Sequence, residues 1–242
     1  MRRGILVMCL LVCACSQSNP PAPVVNAWLE PKENRTEYVV HNGDTIYSIA
    51  WQFGLNYRVL AQENNLKPPY KIYSGQRLKM TIVARGVEPI YPAKPVSHIT
   101  PLVQPMASPA RRQKMVNSHA TWQWPALGKI IGRFDPRLGK NLGVNISGNL
   151  GSPIKATLAG EVVYSGSGIR GYGNLIIIKH DKHYLSAYAY NQTLLVKNGQ
   201  KVHAGQVIGA MGKDAAGRAM LHFEIRYDGR PVDPMKVLSH YY

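Results

Sequence analysis

Two long stretches of this 242-residue chain are unsuited to compact packing, and they decide its organisation. Residues 16–36 are rich in Ser, Asn and Pro (Pro20, Pro21, Pro23 and Pro31) and lack apolar periodicity. Residues 83–121 repeat the pattern with Pro89, Pro92, Pro95, Pro101, Pro105 and Pro109, and carry five Lys or Arg against the single acid Glu88. Proline removes a backbone donor and fixes φ, so such segments extend at about 3.1 Å per residue instead of packing. The chain therefore divides into a flexible tether over 16–36, a compact unit over 37–82, a Pro-rich basic linker over 83–121 and a larger unit over 122–242. All three cysteines lie at or before position 15. The rest of the chain has neither a disulfide framework nor a Cys-based zinc site, and its stability has to come from core packing.

The first 15 residues read as a processing signal. Arg2 and Arg3 supply the positive start, and Ile5 to Val12 an apolar run of signal-peptide length. That run is shorter than the roughly 20 apolar residues a membrane-spanning helix needs. It ends at Val12-Cys13-Ala14-Cys15, which resembles the bacterial lipoprotein box with Cys15 as the lipid acceptor. An ordinary signal peptide cut near Ala14 is the alternative. Ser16 stands where an inner-membrane retention signal would place Asp, so the resemblance implies an outer-membrane lipoprotein facing the periplasm. The formal charge of +16, or +14 without Arg2 and Arg3, would suggest nucleic acid in a cytosolic protein. Behind such a signal the available polyanions are instead cell-wall carboxylates, anionic lipid and acidic partner surfaces, and no nucleic-acid partner is expected. A basic surface that merely aids solubility is the competing reading.

Over 37–82, Tyr38-Val39-Val40 signals a short strand, and Gly43-Asp44-Thr45 a turn into a helix, since Asp and Thr side chains cap exposed N–H groups. Ile46, Ile49, Ala50 and Phe53 give the stripe of an amphipathic helix. Asn56 starts a second helix from Tyr57 to about Asn64, and Gln76 to Ile82 supplies a return strand. This β-α-α-β unit resembles the LysM carbohydrate-binding module through Tyr38-Val39-Val40, Gly43-Asp44-Thr45-Ile46, Ile49-Ala50, Ile72 and Gly75-Gln76-x-Leu78. The resemblance implies recognition of N-acetylglucosamine-containing glycan such as peptidoglycan. Gly43, Asp44, Thr45 and Ile46 would form one wall of a shallow groove, and Asn65, Leu66, Pro69, Tyr70 and Ile72 the other. Ile46 as plain core and Asp44 as a plain cap remain open alternatives.

Residues 122–242 look mainly β, with strand signals at Glu161–Tyr164, Leu175–His180, Tyr184–Tyr190, Val207–Met211 and Leu221–Tyr227. Strand alternation places Met220, His222, Glu224 and Arg226 on one face and Leu221, Phe223, Ile225 and Tyr227 on the core face, with Tyr188 and Tyr190 sharing a face. His180 and His183 flank Asp181-Lys182 at a turn and are expected to face solvent. The unit resembles the lysostaphin/LytM-type peptidoglycan metallopeptidases, of duplicated-hybrid-motif-like fold. Trp124-Pro125, Gly151-Ser152-Pro153-Ile154, Gly171-Tyr172-Gly173-Asn174, Gly205-Gln206-Val207-Ile208-Gly209 and Leu221-His222-Phe223-Glu224 carry the likeness.

In that family three residues bind zinc and two assist the chemistry. The three zinc positions read Asn141, Asn145 and His222 here, and the two assisting positions Tyr190 and Met220. A catalytic zinc needs about three donors from neutral imidazole, carboxylate or thiolate. Amides donate weakly, so neither a metal nor any other cofactor is expected, nor any catalytic residue. What remains is a surface lined by Asn141, Asn145, Arg170, Tyr188, Tyr190, Met220, His222, Glu224 and Arg226, suited to binding a partner. A lipoprotein signal, a LysM module and a metal-less LytM unit together resemble the NlpD-like murein hydrolase activators. That resemblance implies a zinc-dependent cell-wall amidase as partner, at the septum. The alternatives are a structural tether between outer membrane and peptidoglycan and, more remotely, an active zinc endopeptidase.

Overall fold

A computed structural model describes residues 36–80, 122–137 and 141–238. The leader with Cys15, residues 16–35 of the first tether and the linker 83–121 lie outside the described residues. The first unit runs β1 (Glu37–Val39), α1 (Ile46–Gln52), α2 (Tyr57–Glu63) and β2 (Arg77–Lys79). β1 and β2 pair antiparallel, with Tyr38 opposite Leu78. Thr45, not Asp44, caps α1: its Oγ1 accepts the Ser48 N–H at 3.1 Å, and Ser48 Oγ accepts the Thr45 N–H at 2.9 Å. This reciprocal pair satisfies two helix-end donors. Asn56 caps α2 by accepting the Arg58 N–H at 2.9 Å.

The second unit contains β3 (Ile130–Gly132), β4 (Val144–Ser147), β5 (Pro153–Lys155), β6 (Gly160–Gly166), β7 (Asn174–Lys179) and β8 (Tyr184–Leu194). β9 (Lys201–Val202), β10 (Val207–Met211), β11 (Met220–Tyr227), β12 (Arg230–Val232) and a closing helix α3 (Pro234–Leu238) follow. The main sheet has the order β3-β4-β11-β8-β7-β6-β9, while β10 bridges β8 and β5, and β12 extends β11. The long strand β8 serves two neighbourhoods: Tyr184–Ala189 pair with β11, and Asn191–Leu194 with β10. Tyr190 is the joint between them, with φ of +62°.

One face of the sheet carries an apolar core of Val144, Ile146, Ile176, Ile178, Tyr188, Leu221, Phe223 and Ile225. The opposite face carries Val163, Tyr164, Ile177, Leu185, Ala187 and Ala189, which form one continuous core with Ile46, Ile49, Trp51 and Leu60 of the first unit. The two units, separated in sequence by the Pro-rich linker, are therefore packed together, with α1 against β6. Tyr47 and Trp51 lie on this seam. They flank the Ile46/Ile49/Ala50/Phe53 stripe, so α1 is apolar over more of its circumference than one module requires, the pattern of a helix covered on two sides.

Candidate functional site

Strand β11 organises the site, because its alternate side chains project toward the face that meets the first unit. His222 is paired in register with Asn145 on β4 and Ala189 on β8. Its Nδ1 lies 2.7 Å from Asn145 Oδ1, and its Nε2 3.1 Å from Glu224 Oε1. The Tyr172 hydroxyl donates to the same Glu224 oxygen at 2.7 Å. Arg226 donates to Glu224 Oε2 from Nε at 3.2 Å and from a terminal nitrogen at 3.1 Å. Its other terminal nitrogen donates to the Trp51 carbonyl of α1 at 2.7 Å. The guanidinium lies 3.6 Å from the Trp51 ring centroid. Asn145, His222, Glu224, Arg226 and Trp51 thus form one polar chain running from the sheet into the neighbouring module.

The electrostatics follow from burial. Burial alone would raise the Glu224 carboxyl, but the Arg226 charge and the hydrogen bonds from His222 and Tyr172 outweigh it and hold it below the ordinary carboxylate range. Burial, and then the Glu224 charge, push the Tyr172 phenol well up. Tyr172 therefore stays a hydrogen-bond donor at neutral pH. Burial likewise raises the Tyr190 phenol, with Asp214 adding to it.

This donor set does not fit the zinc ion that the peptidase fold implies. Asn145 offers its oxygen to His222, and Asn141 directs its amide nitrogen to the Arg133 carbonyl at 2.9 Å. Both ring nitrogens of His222 are already engaged. Among the described residues, no three His, Cys, Asp or Glu side chains converge to hold a metal.

The structure brings together Asn145, Tyr190, His222, Glu224 and Arg226, and departs from strand alternation at two points. Tyr188 and Tyr190 do not share a face. Tyr188 lies in the opposite core, bonded to Thr157 Oγ1 at 2.8 Å and accepting the Thr157 N–H at 2.9 Å. The left-handed backbone at Tyr190 swings its ring back toward His222, with centroids 6.1 Å apart. The second departure is exposure. Met220, Glu224 and Arg226 are each 1% exposed, so they do not line an open surface. Trp51 of the first module covers Arg226, a contact across the linker that no local pattern reveals, while Glu224 is buried by Tyr172, His222 and Arg226 of its own module. His222 and Tyr190 remain partly exposed and Arg170 is exposed beside Tyr172. Asn141, partly exposed, pairs with Asp135.

His180 and His183 also differ from the solvent-facing expectation. His180 contacts the Ala159 carbonyl at 2.9 Å and Ser186 Oγ at 2.7 Å, and His183 contacts the Asp228 carboxylate at 3.0 Å. Each is anchored by a specific acceptor or hydroxyl, and the two do not form a ligand pair. Sequence reasoning passed over Trp51, Tyr172 and Asp228. The available signal for the first was the excess of large aromatics on α1.

In the first module, Gly43 (φ +86°), Asp44 and Thr45 occupy the β1–α1 loop, and Asn65, Leu66, Pro69, Tyr70 and Ile72 the α2–β2 connection. Val40 accepts the Gly75 N–H and donates to the Gln76 carbonyl, both at 2.8 Å, which draws the end of β1 against the turn before β2. Asp44 is used internally, accepting the Tyr38 hydroxyl and the His41 N–H at 2.9 and 2.8 Å. Ile46 is core at 1% exposure. Asn65 and Tyr70 adopt left-handed backbone, uncommon for residues with a Cβ and a frequent companion of binding loops. Tyr70 sits edge-on to Tyr47 and Tyr57.

Comparison with known proteins agrees with this geometry. The sequence matches the LysM domain family over residues 38–81 and peptidase family M23 over residues 139–234. The class is a LysM module joined to a mainly-β M23-type domain. A protein named lipoprotein NlpD/LppB homolog, from Pseudomonas aeruginosa, is 40% identical over 96% of this chain and 89% of its own length. The lipoprotein YgeR of Escherichia coli K12 is 41% identical, covering 83% of this chain and 80% of its own. The murein hydrolase activator NlpD of the same organism is 37% identical, covering 83% and 67%. The chain belongs to the NlpD/LppB lipoprotein family.

Proposed function

We propose that this chain is a non-catalytic activator of periplasmic, zinc-dependent N-acetylmuramoyl-L-alanine amidases. In this reading a lipid on Cys15 anchors it to the outer membrane, the LysM loops hold peptidoglycan, and the M23 domain engages the amidase during cell separation at the septum. The observation that carries the proposal is the Asn145–His222 hydrogen bond. Where the resemblance places two zinc ligands, the two side chains satisfy each other, and Asn141 is turned to a backbone carbonyl. Hydrolysis would also need groups to move protons and stabilise an oxyanion. Tyr190, its phenol pushed up by burial, and the buried thioether Met220 stand there instead.

The name of the Escherichia coli relative, murein hydrolase activator, supports the same direction. Activation on this reading is population shift, the chain preferring the open form of the amidase. His222 and Tyr190, partly exposed, and the exposed Arg170 are the contact residues. Asn141 and Asn145 shape the edge, and Tyr188 and Met220 support it from beneath.

The test is calorimetric titration of a purified zinc amidase onto the full chain. Wild type should bind, while Tyr190→Asp and His222→Ala should bind at least tenfold more weakly and still pellet with sacculi. Asp tolerates left-handed backbone, so the first substitution leaves the β8 joint intact. Binding unchanged in both variants would remove the M23 site from the account. Sacculus binding with no amidase binding in wild type would make the chain a tether.

A further inference from the structure

Helix α1 carries more apolar surface than its own module needs. Beside the Ile46/Ile49/Ala50 stripe, Tyr47 and Trp51, one turn apart, are 9% and 2% exposed. Lys179 of β7 places its ammonium 5.9 Å from the Tyr47 ring, and Arg226 covers Trp51. A helix C-terminus leaves carbonyls without intrahelical donors and is stabilised by nearby cations. α1 has no basic residue in its last turn. Arg226 supplies that cation from the other module through its hydrogen bond to the Trp51 carbonyl.

A second clamp lies at the β11–β12 hairpin. The Asp228 carboxylate accepts from Asn56 Nδ2 at 3.3 Å and from Arg58, and meets His183 at 3.0 Å. A Cβ on Gly229 would stand 2.5 Å from the Leu55 carbonyl oxygen, so the turn backs directly onto the inter-helix loop.

The face that the first unit covers is continuous with the proposed partner contact: the partly exposed His222 bonds Glu224, Glu224 holds Arg226, and Arg226 holds Trp51. Most of the seam is apolar, and the directed bonds that cross it include Arg226 to the Trp51 carbonyl and Asp228 to Asn56 and Arg58. We propose that the LysM module is the resident, displaceable occupant of the M23 sheet face, and that a protein partner reaches Tyr172 and Arg226 only by moving it aside. The partner side of this statement rests on the amidase reading above.

Arg58→Glu tests it without touching either binding site. Arg58 lies in the first turn of α2, where a negative charge suits the helix dipole, so the module keeps its fold. The same carboxylate faces Asp228 and repels it. Arg58→Lys preserves the attraction. Amide hydrogen exchange on the full chain in detergent reads the docking, and dye release from labelled peptidoglycan with a zinc amidase reads the partner.

For Arg58→Glu, amides of Trp51–Gly54 and of 226–230 should exchange at least tenfold faster, while β1 and β2 stay protected. The chain concentration giving half-maximal stimulation should fall at least threefold, and Arg58→Lys should match wild type. Unchanged exchange overturns the proposal, as does faster exchange with an unchanged half-maximal concentration. Failure of the amidase reading itself looks different. Stimulation is then absent in wild type and all variants despite the exchange difference, and the displacement step falls with it.

Discussion

Replacing Arg226 with alanine perturbs both modules through one side chain. The guanidinium, 1% exposed at the residue level, makes two bonds to Glu224 and one to the Trp51 carbonyl, and covers the Trp51 ring. Its removal leaves Glu224 buried with only the His222 and Tyr172 bonds. Breaking one side of a buried, hydrogen-bonded ion pair costs about 3–5 kcal/mol, because the surviving charge is uncompensated. A desolvated cation–π contact is worth about 2 kcal/mol, and part of it lies inside that range, since the contributions do not add. Burial then dominates Glu224 and raises its pKa, so the carboxyl takes up a proton at a higher pH than in wild type.

Urea unfolding of the full chain, followed by far-ultraviolet circular dichroism and by tryptophan fluorescence, gives the measurement. Arg226→Ala should lose about 3–5 kcal/mol, and the double variant Glu224→Leu/Arg226→Met should recover most of it. A loss below about 1 kcal/mol would mean that Arg226 is not the keystone of the seam. An equal loss in the double variant would mean that the cost is a cavity and not a stranded charge.

Burial depresses the His180 pKa from 6.5 to about 4, with the Ala159 carbonyl and Asp181 partly offsetting it. The unfolded chain therefore binds more protons between these values, and stability present at pH 7 falls as the pH drops from 6.5 towards 4. This amounts to about 2–3 kcal/mol between pH 7 and 4.5, and urea midpoints of His180→Gln should show a shallower slope across that window. Glu224, held low, contributes stability above the unfolded carboxylate pKa that is lost only as the pH falls below about 4.5; Glu224→Gln should flatten the curve there and not between 5 and 6.5. Gly229→Ala places a Cβ against the Leu55 carbonyl at φ +83°, so hydrogen exchange should show the hairpin and the Leu55–Asn56 loop deprotected together while β6–β8 stay protected.

Much of the architecture is legible from local pattern. The i, i+3, i+4 stripe from Ile46 marks α1, and β10 runs over Val207–Met211 as alternation and the flanking glycines predict. The short strands β3, β5, β9 and β12 escape because two to three residues carry no period. The helix α3 escapes because its five residues begin at the second proline of Pro231-Val232-Asp233-Pro234, a segment that reads as a loop. At the site, the sequence identifies Asn145 and His222 through the missing carboxylate, and the structure shows them bonded to each other. It misplaces Tyr188 because alternation assumes unbroken β backbone, and Tyr190 breaks it at φ +62°. It exposes Arg226 in error because the Trp51 that covers it lies 175 residues away.

On the proposed function the M23 domain acts through a partner and does not cut. Dye release from labelled peptidoglycan tests it most directly, with the full chain alone, a zinc amidase alone, and the two together, and with elemental analysis of zinc in the purified chain. The proposed function predicts no release by the chain alone, no stoichiometric zinc, and release by the pair well above that of the amidase alone. Release by the chain alone with one zinc per molecule would contradict it.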